Sequence, residues 1–433
     1  MRRLLVQSTA FPHALPAIAL GVLGCFSVFA CSGNSSGAGE LDPALGQSTQ
    51  PDQQDAAPPS ADAGATPAVT APVTMQPAPG NDAGEASSPE AGAGATEAGK
   101  GGAKGGLPSG WLYTSANKIY VSDGNGGGTA WVGRGVNMDD IFFCGYNGSL
   151  SMPSPDTALE AVASDAVTAW KANFVRVSLA MNTNSVVASW LTNPDQYKTP
   201  MTNVINSIGA HPNTYVLVTL RSDASMILYD TSGADKEATG IPSNSTNTPD
   251  ATKFPTGTDA TYVALVDTFA NSNFVMFGLT NEPGGNTQNV DTEVAALTHA
   301  VGTIRAEEDR LGAAHHIVSV QGSGWASDVS HYAKSPLSYD NVVYEIHGYP
   351  PPASAYTYSN IPVIVGEYGS LTSSSQAAFY ADLEQKQISS LAWDFEPYSD
   401  CSPDLLNVNG SSTNLQPSSW GKIVQSYLAA HNP

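Results

Sequence analysis

Short apolar runs, rich in β-branched and aromatic residues, recur along the chain from about residue 130 to its end. Each run is stopped by polar residues, Pro or Gly, which predicts a parallel strand that is covered on both faces. The eight strands predicted in this way cover residues 131–136, 174–179, 215–220, 274–279, 316–321, 342–347, 363–367 and 389–394.

The segments between these runs carry apolar residues at helical spacing. The clearest predicted helices cover residues 158–172, 262–270, 290–311, 376–386 and 420–430. Strand and helix alternating eight times predict an α/β fold, a closed (β/α)8 TIM barrel. An open doubly wound sheet is disfavoured because no Gly-rich phosphate loop follows the first strand. Residues 111–113 and 118–121 predict a small hairpin ahead of the barrel.

The first 31 residues have the pattern of an export signal. A basic start precedes an apolar stretch at 14–30 that is too short and wrongly flanked for a stable membrane span. The residues around Cys31 resemble a bacterial lipoprotein signal, in which the cysteine is lipidated. Phe29 is an unusual residue for such a lipoprotein signal, so secretion without a lipid is an alternative. Cys25 is a weaker candidate for the lipidated cysteine. We therefore expect an exported protein, either lipid-anchored at the outer surface of the cell envelope or secreted.

Residues 32–107 have the composition of a linker. They contain no aromatic residue, no Ile and no Cys, and Ala, Pro, Gly, Ser, Asp and Gln dominate. Such a stretch cannot bury enough apolar surface to offset its ordering entropy, which predicts a disordered tether. Residues 108–433 remain, and they are numerous enough for one catalytic barrel.

The charge balance narrows the choice of partners. The formal net charge is −22, although only 13% of residues are charged. An acidic surface disfavours nucleic acid and anionic membrane surfaces, and it is compatible with a neutral polysaccharide. We expect a monomer that meets a membrane only through its N-terminal lipid.

Two glutamates stand where predicted strands end. Glu282 follows the fourth strand and Glu367 closes the seventh. The carboxyl ends of barrel strands form the rim at which enzymes of this fold keep their chemistry. Two carboxylates on one rim suit the cleavage of a glycosidic bond, in which one protonates the leaving oxygen and the other attacks the sugar or activates water.

The order of motifs resembles glycoside hydrolase family 5, the cellulase and mannanase family of the retaining barrel clan. The resemblance covers most of residues 108–433. It rests on Arg134-Gly135-Val136-Asn137, Asn173-Phe174-Val175-Arg176-Val177, Asn281-Glu282-Pro283, His347-Gly348-Tyr349, Gly366-Glu367-Tyr368-Gly369 and Leu391-Ala392-Trp393.

The resemblance implies a role for each catalytic candidate. Glu282 is the implied acid/base, and it must hold a proton at working pH, which calls for burial and a nearby negative charge. Glu367 is the implied nucleophile and must be ionised. Arg176 is the natural cation for it, and Tyr349 can donate a hydrogen bond to the same carboxylate.

Three more residues are implied to bind substrate or orient the acid. Asn281 can bind the sugar 2-hydroxyl, and His347 can bind a hydroxyl and help to orient Glu282. Trp393 offers a flat apolar face to the sugar. Taken singly, Arg176 could be a core ion pair and Trp393 could be core packing. No metal or cofactor is expected, because the adjacent histidines at 315–316 lack the spacing of metal ligands.

The chain departs from the family pattern at strand three. The family usually has a histidine there, whereas this chain reads Arg221-Ser222-Asp223. Either Arg221 or Asp223 replaces that sugar contact, or the site has a different shape. Glu345, two residues before His347 and on the same face of the strand, could be a buried partner for Arg176 or His347, and an outward ion pair is an equal alternative.

The motifs therefore do not determine which β-glycan is the substrate. The leading interpretation is a retaining endo-β-1,4-glucanase, a cellulase. A β-mannanase or another β-glycanase of the same fold is the first alternative. An inactive carbohydrate-binding protein at the cell surface is the second, and it is disfavoured because a binder has no need of a complete catalytic set.

Cys144 and Cys401 are the cysteines that remain after the signal. They follow strands one and eight, which are neighbours in a closed barrel, and export brings the protein to an oxidising compartment. We therefore predict a disulfide between them. The aromatic residues that could line either the cleft or the core are Trp325, Tyr368, Phe395 and Tyr398.

Overall fold

A computed structural model gives the architecture of the chain. It describes residues 106–140, 155–180, 190, 195, 197–221, 228–229, 235–236, 249, 251–255, 257–283, 290–372, 374–398 and 402–432. The predicted signal with Cys31, nearly all of the predicted linker, and the predicted disulfide partners Cys144 and Cys401 lie outside these residues.

Eight parallel strands close into a barrel, which confirms the predicted TIM-barrel fold. Their neighbours follow chain order, and the eighth strand pairs with the first through Leu391 and Gly135. The barrel strands are β4 Arg134–Asp139, β5 Phe174–Ala180, β6 Tyr215–Arg221, β9 Val275–Gly278, β10 Val318–Gln321, β11 Val342–His347, β12 Val363–Tyr368 and β13 Ser390–Ala392. All carboxyl ends therefore lie on one rim, which is where the candidate residues stand.

A small antiparallel sheet precedes the barrel and corrects the predicted start of its first strand. It consists of β1 Leu112–Ser115, β2 Lys118–Ser122 and β3 Gly128–Trp131. Trp131 was predicted to begin the barrel but belongs to β3. Its indole packs edge-on against Phe174 and Tyr215, with ring centroids 5.2 and 5.1 Å apart. The apolar run at 131–136 thus spans two elements, because Trp131 covers the amino-terminal end of the barrel.

Helices link the barrel strands on the outside. In the described residues they cover Pro155–Thr168, Lys198–Gly209, Thr258–Phe269, Val290–Leu311, Ser330–Lys334, Ala353–Tyr356, Gln376–Lys386 and Ser419–His431. The predicted helices at 290–311 and 376–386 match their observed bounds, and the other three differ by a few residues at one or both ends. None of the helices described here is long and apolar enough to cross a membrane.

The sequence patterns missed several elements. The helix Lys198–Gly209 fills the connection between β5 and β6 and buries Met201, Val204, Ile205 and Ile208. A two-stranded ribbon, β7 Leu228–Tyr229 with β8 Asp235–Lys236, follows β6. Ser323–Ala326 forms a turn after β10, within which Gly324, Trp325 and Ala326 have positive φ.

The contact between the first two barrel strands leaves no room for a side chain at Gly135. A Cβ there would lie 1.5 Å from the carbonyl oxygen of Phe174, its register partner on β5. We expect Gly135→Ala to lower the free energy of unfolding by about 3 kcal/mol or more, because backbone has to shift to admit the methyl group. Chemical denaturation of the variant and the native protein measures this difference in the free energy of unfolding.

Gly106→Ala is the control, since a Cβ at Gly106 meets no atom within 4 Å. Equal stability of the two variants would contradict the strand pairing.

Candidate active site

Two glutamates and a histidine meet at the carboxyl rim of the barrel. Glu282 follows β9, His347 ends β11, and Glu367 lies on β12. One carboxylate oxygen from each glutamate and one imidazole nitrogen all lie within 4.8 Å of one another. Residues that are far apart in sequence thus form one site, as the motif order predicted.

Donors surround the carboxylate of Glu367. The Arg176 Nη1 atom lies 2.7 Å from its Oε1, and the Tyr349 hydroxyl donates to its Oε2 at 2.9 Å. Burial alone would raise the pKa of Glu367, but the positive charges of His347 and Arg176 outweigh burial and hold the pKa below its ordinary value. Glu367 is therefore ionised at neutral pH, and Arg176 and Tyr349 both contact its carboxylate.

Glu282 is held at two points. Its Oε1 lies 2.9 Å from His347 Nδ1, and its backbone N–H donates to the side-chain oxygen of Gln321. Its backbone has φ of +48°, a left-handed conformation that is uncommon for a residue with a side chain. The side chain is 18% exposed, so it can reach a bound substrate. Gln321 was missed in the sequence, although it ends β10 at the same height as the other rim residues.

His347 bridges Glu282 to a deeper carboxylate. Its Nε2 lies 3.0 Å from Oε1 of Glu345, and its Nδ1 lies 3.5 Å from Oε2 of Glu367. Burial would lower the pKa of His347, but Glu367, Glu282 and Glu345 raise it to about 9. The same three side chains have a spacing that could suit a metal ion, but both ring nitrogens of His347 already contact carboxylates, those of Glu282 and Glu345. The cluster is therefore arranged for proton transfer.

Glu345 contacts both of the partners that the sequence proposed for it. Its Oε1 lies 3.3 Å from Arg176 Nε as well as 3.0 Å from His347 Nε2. Of the two alternatives, the outward ion pair is excluded, because Glu345 is fully buried inside the barrel.

The remaining predicted substrate contacts lie around this centre. Arg176 Nη2 donates to the Asn281 side-chain oxygen, which fixes that amide beside Glu282. Trp393 follows β13 and is 8% exposed, and its backbone oxygen accepts from Trp420 Nε1 at 3.0 Å.

The departure at strand three places Arg221 beside Trp393. Arg221 ends β6, is 4% exposed, and its guanidinium carbon lies 5.7 Å from the centroid of the Trp393 ring. Its Nη1 lies 3.8 Å from Asp139 Oδ1. Arg221 therefore lies at the rim, and Asp223, the other residue proposed for this contact, lies outside the described residues.

A buried pair of acids, not identified from the sequence, lies beside Arg221. Asp139 ends β4, and Asp394 follows β13, the strand that pairs with β4. Burial raises the pKa of Asp139 to about 6 against the opposing charge of Arg221, and burial together with Asp139 raises that of Asp394 well above its ordinary value. The pair thus retains a proton at neutral pH. The signal in the sequence that could have identified this pair was the presence of acidic residues at the ends of strands one and eight.

The four aromatic candidates differ in burial, and Tyr398 packs against the core. Tyr368 and Phe395 are almost fully buried. Phe395 packs edge-on against Trp170 at 4.8 Å, and Tyr368 lies 5.1 Å from Phe379, so both belong to the core. Trp325 and Tyr398 are partly exposed.

A closed parallel barrel with two facing glutamates at its carboxyl rim is the arrangement of a retaining barrel glycosidase. Residues 141–399 match the family described as cellulase, glycosyl hydrolase family 5. The chain belongs to this family and is an O-glycosyl hydrolase of the retaining type. No curated protein matches the chain.

Solved structures share the fold at low identity. A β-glucanase from Saccharophagus degradans in complex with cellotetraose is 19% identical, with 77% of this chain and 96% of that chain covered and a TM-score of 0.55. The catalytic domain of an endoglucanase from Thermobifida fusca is 17% identical, with coverages of 74% and 97% and a TM-score of 0.53. A β-mannanase from Streptomyces thermolilacinus is 17% identical, with coverages of 75% and 98% and a TM-score of 0.50.

The hydrogen bond from Tyr349 predicts a shift in the pH profile. Because it stabilises the ionised form of Glu367, Tyr349→Phe should raise the pKa of that carboxyl and move the acid limb of kcat/KM to higher pH. The loss of a hydrogen bond to a charged group should also lower kcat/KM at neutral pH by about tenfold or more.

Tyr356→Phe is the matched control, since Tyr356 donates to the Asp382 carboxylate at 2.7 Å on a helix outside the barrel. An unchanged acid limb in Tyr349→Phe, or an equal shift in Tyr356→Phe, would refute the assignment.

Proposed function

We propose that this protein is a retaining endo-β-1,4-glucanase, with Glu367 as nucleophile and Glu282 as general acid and base. The retaining mechanism is supported by one oxygen from each carboxylate, which lie within 4.8 Å of each other. Retaining glycosidases hold their carboxyl groups about 5–5.5 Å apart, whereas inverting enzymes need about 6.5–9.5 Å to admit a water.

In the first step an oxygen of Glu367 attacks the anomeric carbon, and the bond from that carbon to the glycosidic oxygen breaks. The proton of Glu282 passes to the leaving oxygen, so the departing sugar leaves as a neutral alcohol. Arg176 and Tyr349 keep the nucleophile ionised before attack. The product of this step is a glycosyl ester on Glu367.

In the second step the ionised Glu282 takes a proton from water, whose oxygen attacks the same carbon. The ester bond to Glu367 breaks, and both carboxyl groups return to their first state. Asn281, which Arg176 orients, donates to the sugar 2-hydroxyl in both transition states. Trp393 stacks on an apolar sugar face.

The substrate choice rests on the rim around Trp393 and Arg221. The similarity to a β-glucanase that holds cellotetraose supports a β-1,4-glucan. The similarity to a β-mannanase keeps mannan as the second candidate. A role as an inactive binding protein is disfavoured by the complete set of contacts on Glu282 and Glu367.

We also propose that the enzyme works outside the cytoplasm as a monomer. Lipidation of Cys31, a flexible tether at residues 32–107 and the Cys144–Cys401 disulfide are parts of this proposal, and they rest on the sequence alone.

A substrate panel and two variants test the proposal. Carboxymethyl-cellulose should release reducing sugar faster than glucomannan, xylan or laminarin, and proton NMR should show the β-anomer as first product. Glu367→Gln should remove nearly all activity. Glu282→Gln should slow substrates with poor leaving groups by about 10²–10⁴-fold and spare activated aryl glycosides.

An α-anomer as first product would refute retention. Faster release from a mannan would refute the glucanase assignment and leave the mechanism intact.

A further inference from the structure

Glu345 contacts neither catalytic candidate directly, yet it contacts three residues that do. Its Oε1 lies 3.3 Å from Arg176 Nε and 3.0 Å from His347 Nε2, and it accepts from Gln321 Nε2 at 3.0 Å. Arg176 in turn contacts Glu367, while His347 and Gln321 contact Glu282.

The barrel interior is shaped to hold this carboxylate. Ser319 donates to Glu345 Oε2 at 2.6 Å from the neighbouring strand β10. On the other side, a Cβ at Gly366 would lie 2.1 Å from Glu345 Oε1, so the glycine that precedes Glu367 leaves the space that the carboxylate fills. Burial raises the pKa of Glu345, but Arg176 and His347 outweigh burial and hold it below the ordinary value. Glu345 is therefore a permanent negative charge beneath the site.

We propose that Glu345 is a positioning residue that keeps His347 doubly protonated, so that Glu282 Oε1 always accepts from His347 and the catalytic proton resides on Glu282 Oε2. The inference rests on the proposed function of Glu282. With Nε2–H directed at Glu345, Nδ1–H donates to Glu282 Oε1 before and after proton transfer. When the glycosidic bond breaks, the Oε2–H bond breaks with it, and the proton passes to the leaving oxygen.

The charges that face His347 balance in this arrangement. Arg176 comes from β5, Glu345 from its own strand β11, and Glu367 from β12. Glu282 is neutral while it holds its proton, and Tyr349 contributes a neutral hydroxyl. Two positive groups thus meet two negative ones, and the loss of the Glu345 charge would leave a buried excess positive charge that His347 can relieve by releasing a proton.

The first test is the protonation state of His347 in the native enzyme. Both ring nitrogens of ¹⁵N-labelled His347, assigned by comparison with a His347→Asn sample, should show imidazolium chemical shifts at pH 7. A neutral ring at pH 7 would overturn the proposal. This readout involves no substrate, so it is independent of the experiment on product configuration.

The second test is Glu345→Gln. His347 should titrate at lower pH than in the native enzyme, because its counter-ion is gone. A neutral His347 can accept the Glu282 proton, which weakens general acid catalysis. General acid catalysis contributes about 10²–10⁴-fold, so kcat/KM for a substrate with a poor leaving group should fall by about tenfold or more. An activated aryl glycoside, which needs little protonation, should lose less than about threefold. Glu345→Asp keeps the charge and should restore His347 protonation.

Glu308→Gln is the matched control. Glu308 is as buried as Glu345 and also contacts one arginine and one histidine, Arg305 and His316, but at the opposite end of the barrel. It should lower the melting temperature without changing the leaving-group dependence. Equal losses of kcat/KM on both substrates in Glu345→Gln, or an unchanged titration of His347, would show that Glu345 has only a structural role as an ion pair.

Discussion

The buried guanidinium of Arg176 is the charge on which the rest of the site depends. It is fully enclosed by the barrel, and a buried charge persists only when it is paired and hydrogen-bonded. Its partners lie on, or shortly after, different strands: Glu367, Glu345 and Asn281, together with Asn137 at 2.9 Å and Thr219 at 3.2 Å. Closure of the barrel and assembly of the site are therefore one event, because the barrel brings these partners together.

The buried acids of the site differ in whether they are ionised. Glu367 and Glu345 lie against Arg176 and His347 and stay ionised despite burial. Asp139 and Asp394 lie against each other, with Arg221 beside Asp139, and the pair retains a proton. Burial acts in the same direction on all four carboxyl groups, so the neighbouring charges decide which form each adopts. A barrel rim of this kind can hold an ionised nucleophile a few ångströms from a group that must carry a proton.

The sequence predicted most of this arrangement, because strand alternation and rim motifs are local signals. It placed the first strand too early, since Trp131 reads as part of an apolar run but covers the end of the barrel from β3. It left Glu345 undecided, because alternation does not separate inside from outside in a strand that is buried on both faces. Gln321 and the Asp139–Asp394 pair depend on register between strands distant in sequence, which no local pattern carries.

The measurement that tests the account most directly is the site of covalent attachment in the glycosyl-enzyme. A 2-deoxy-2-fluoro glycoside with a dinitrophenyl leaving group, made from whichever β-glycan the enzyme prefers, should form a slowly hydrolysed adduct that is visible by intact mass. Peptide mapping should place the sugar on Glu367, because Arg176 and Tyr349 hold that carboxylate ionised. A sugar attached to Glu282 or Glu345, or turnover of the glycoside with no adduct on any residue, would contradict the account.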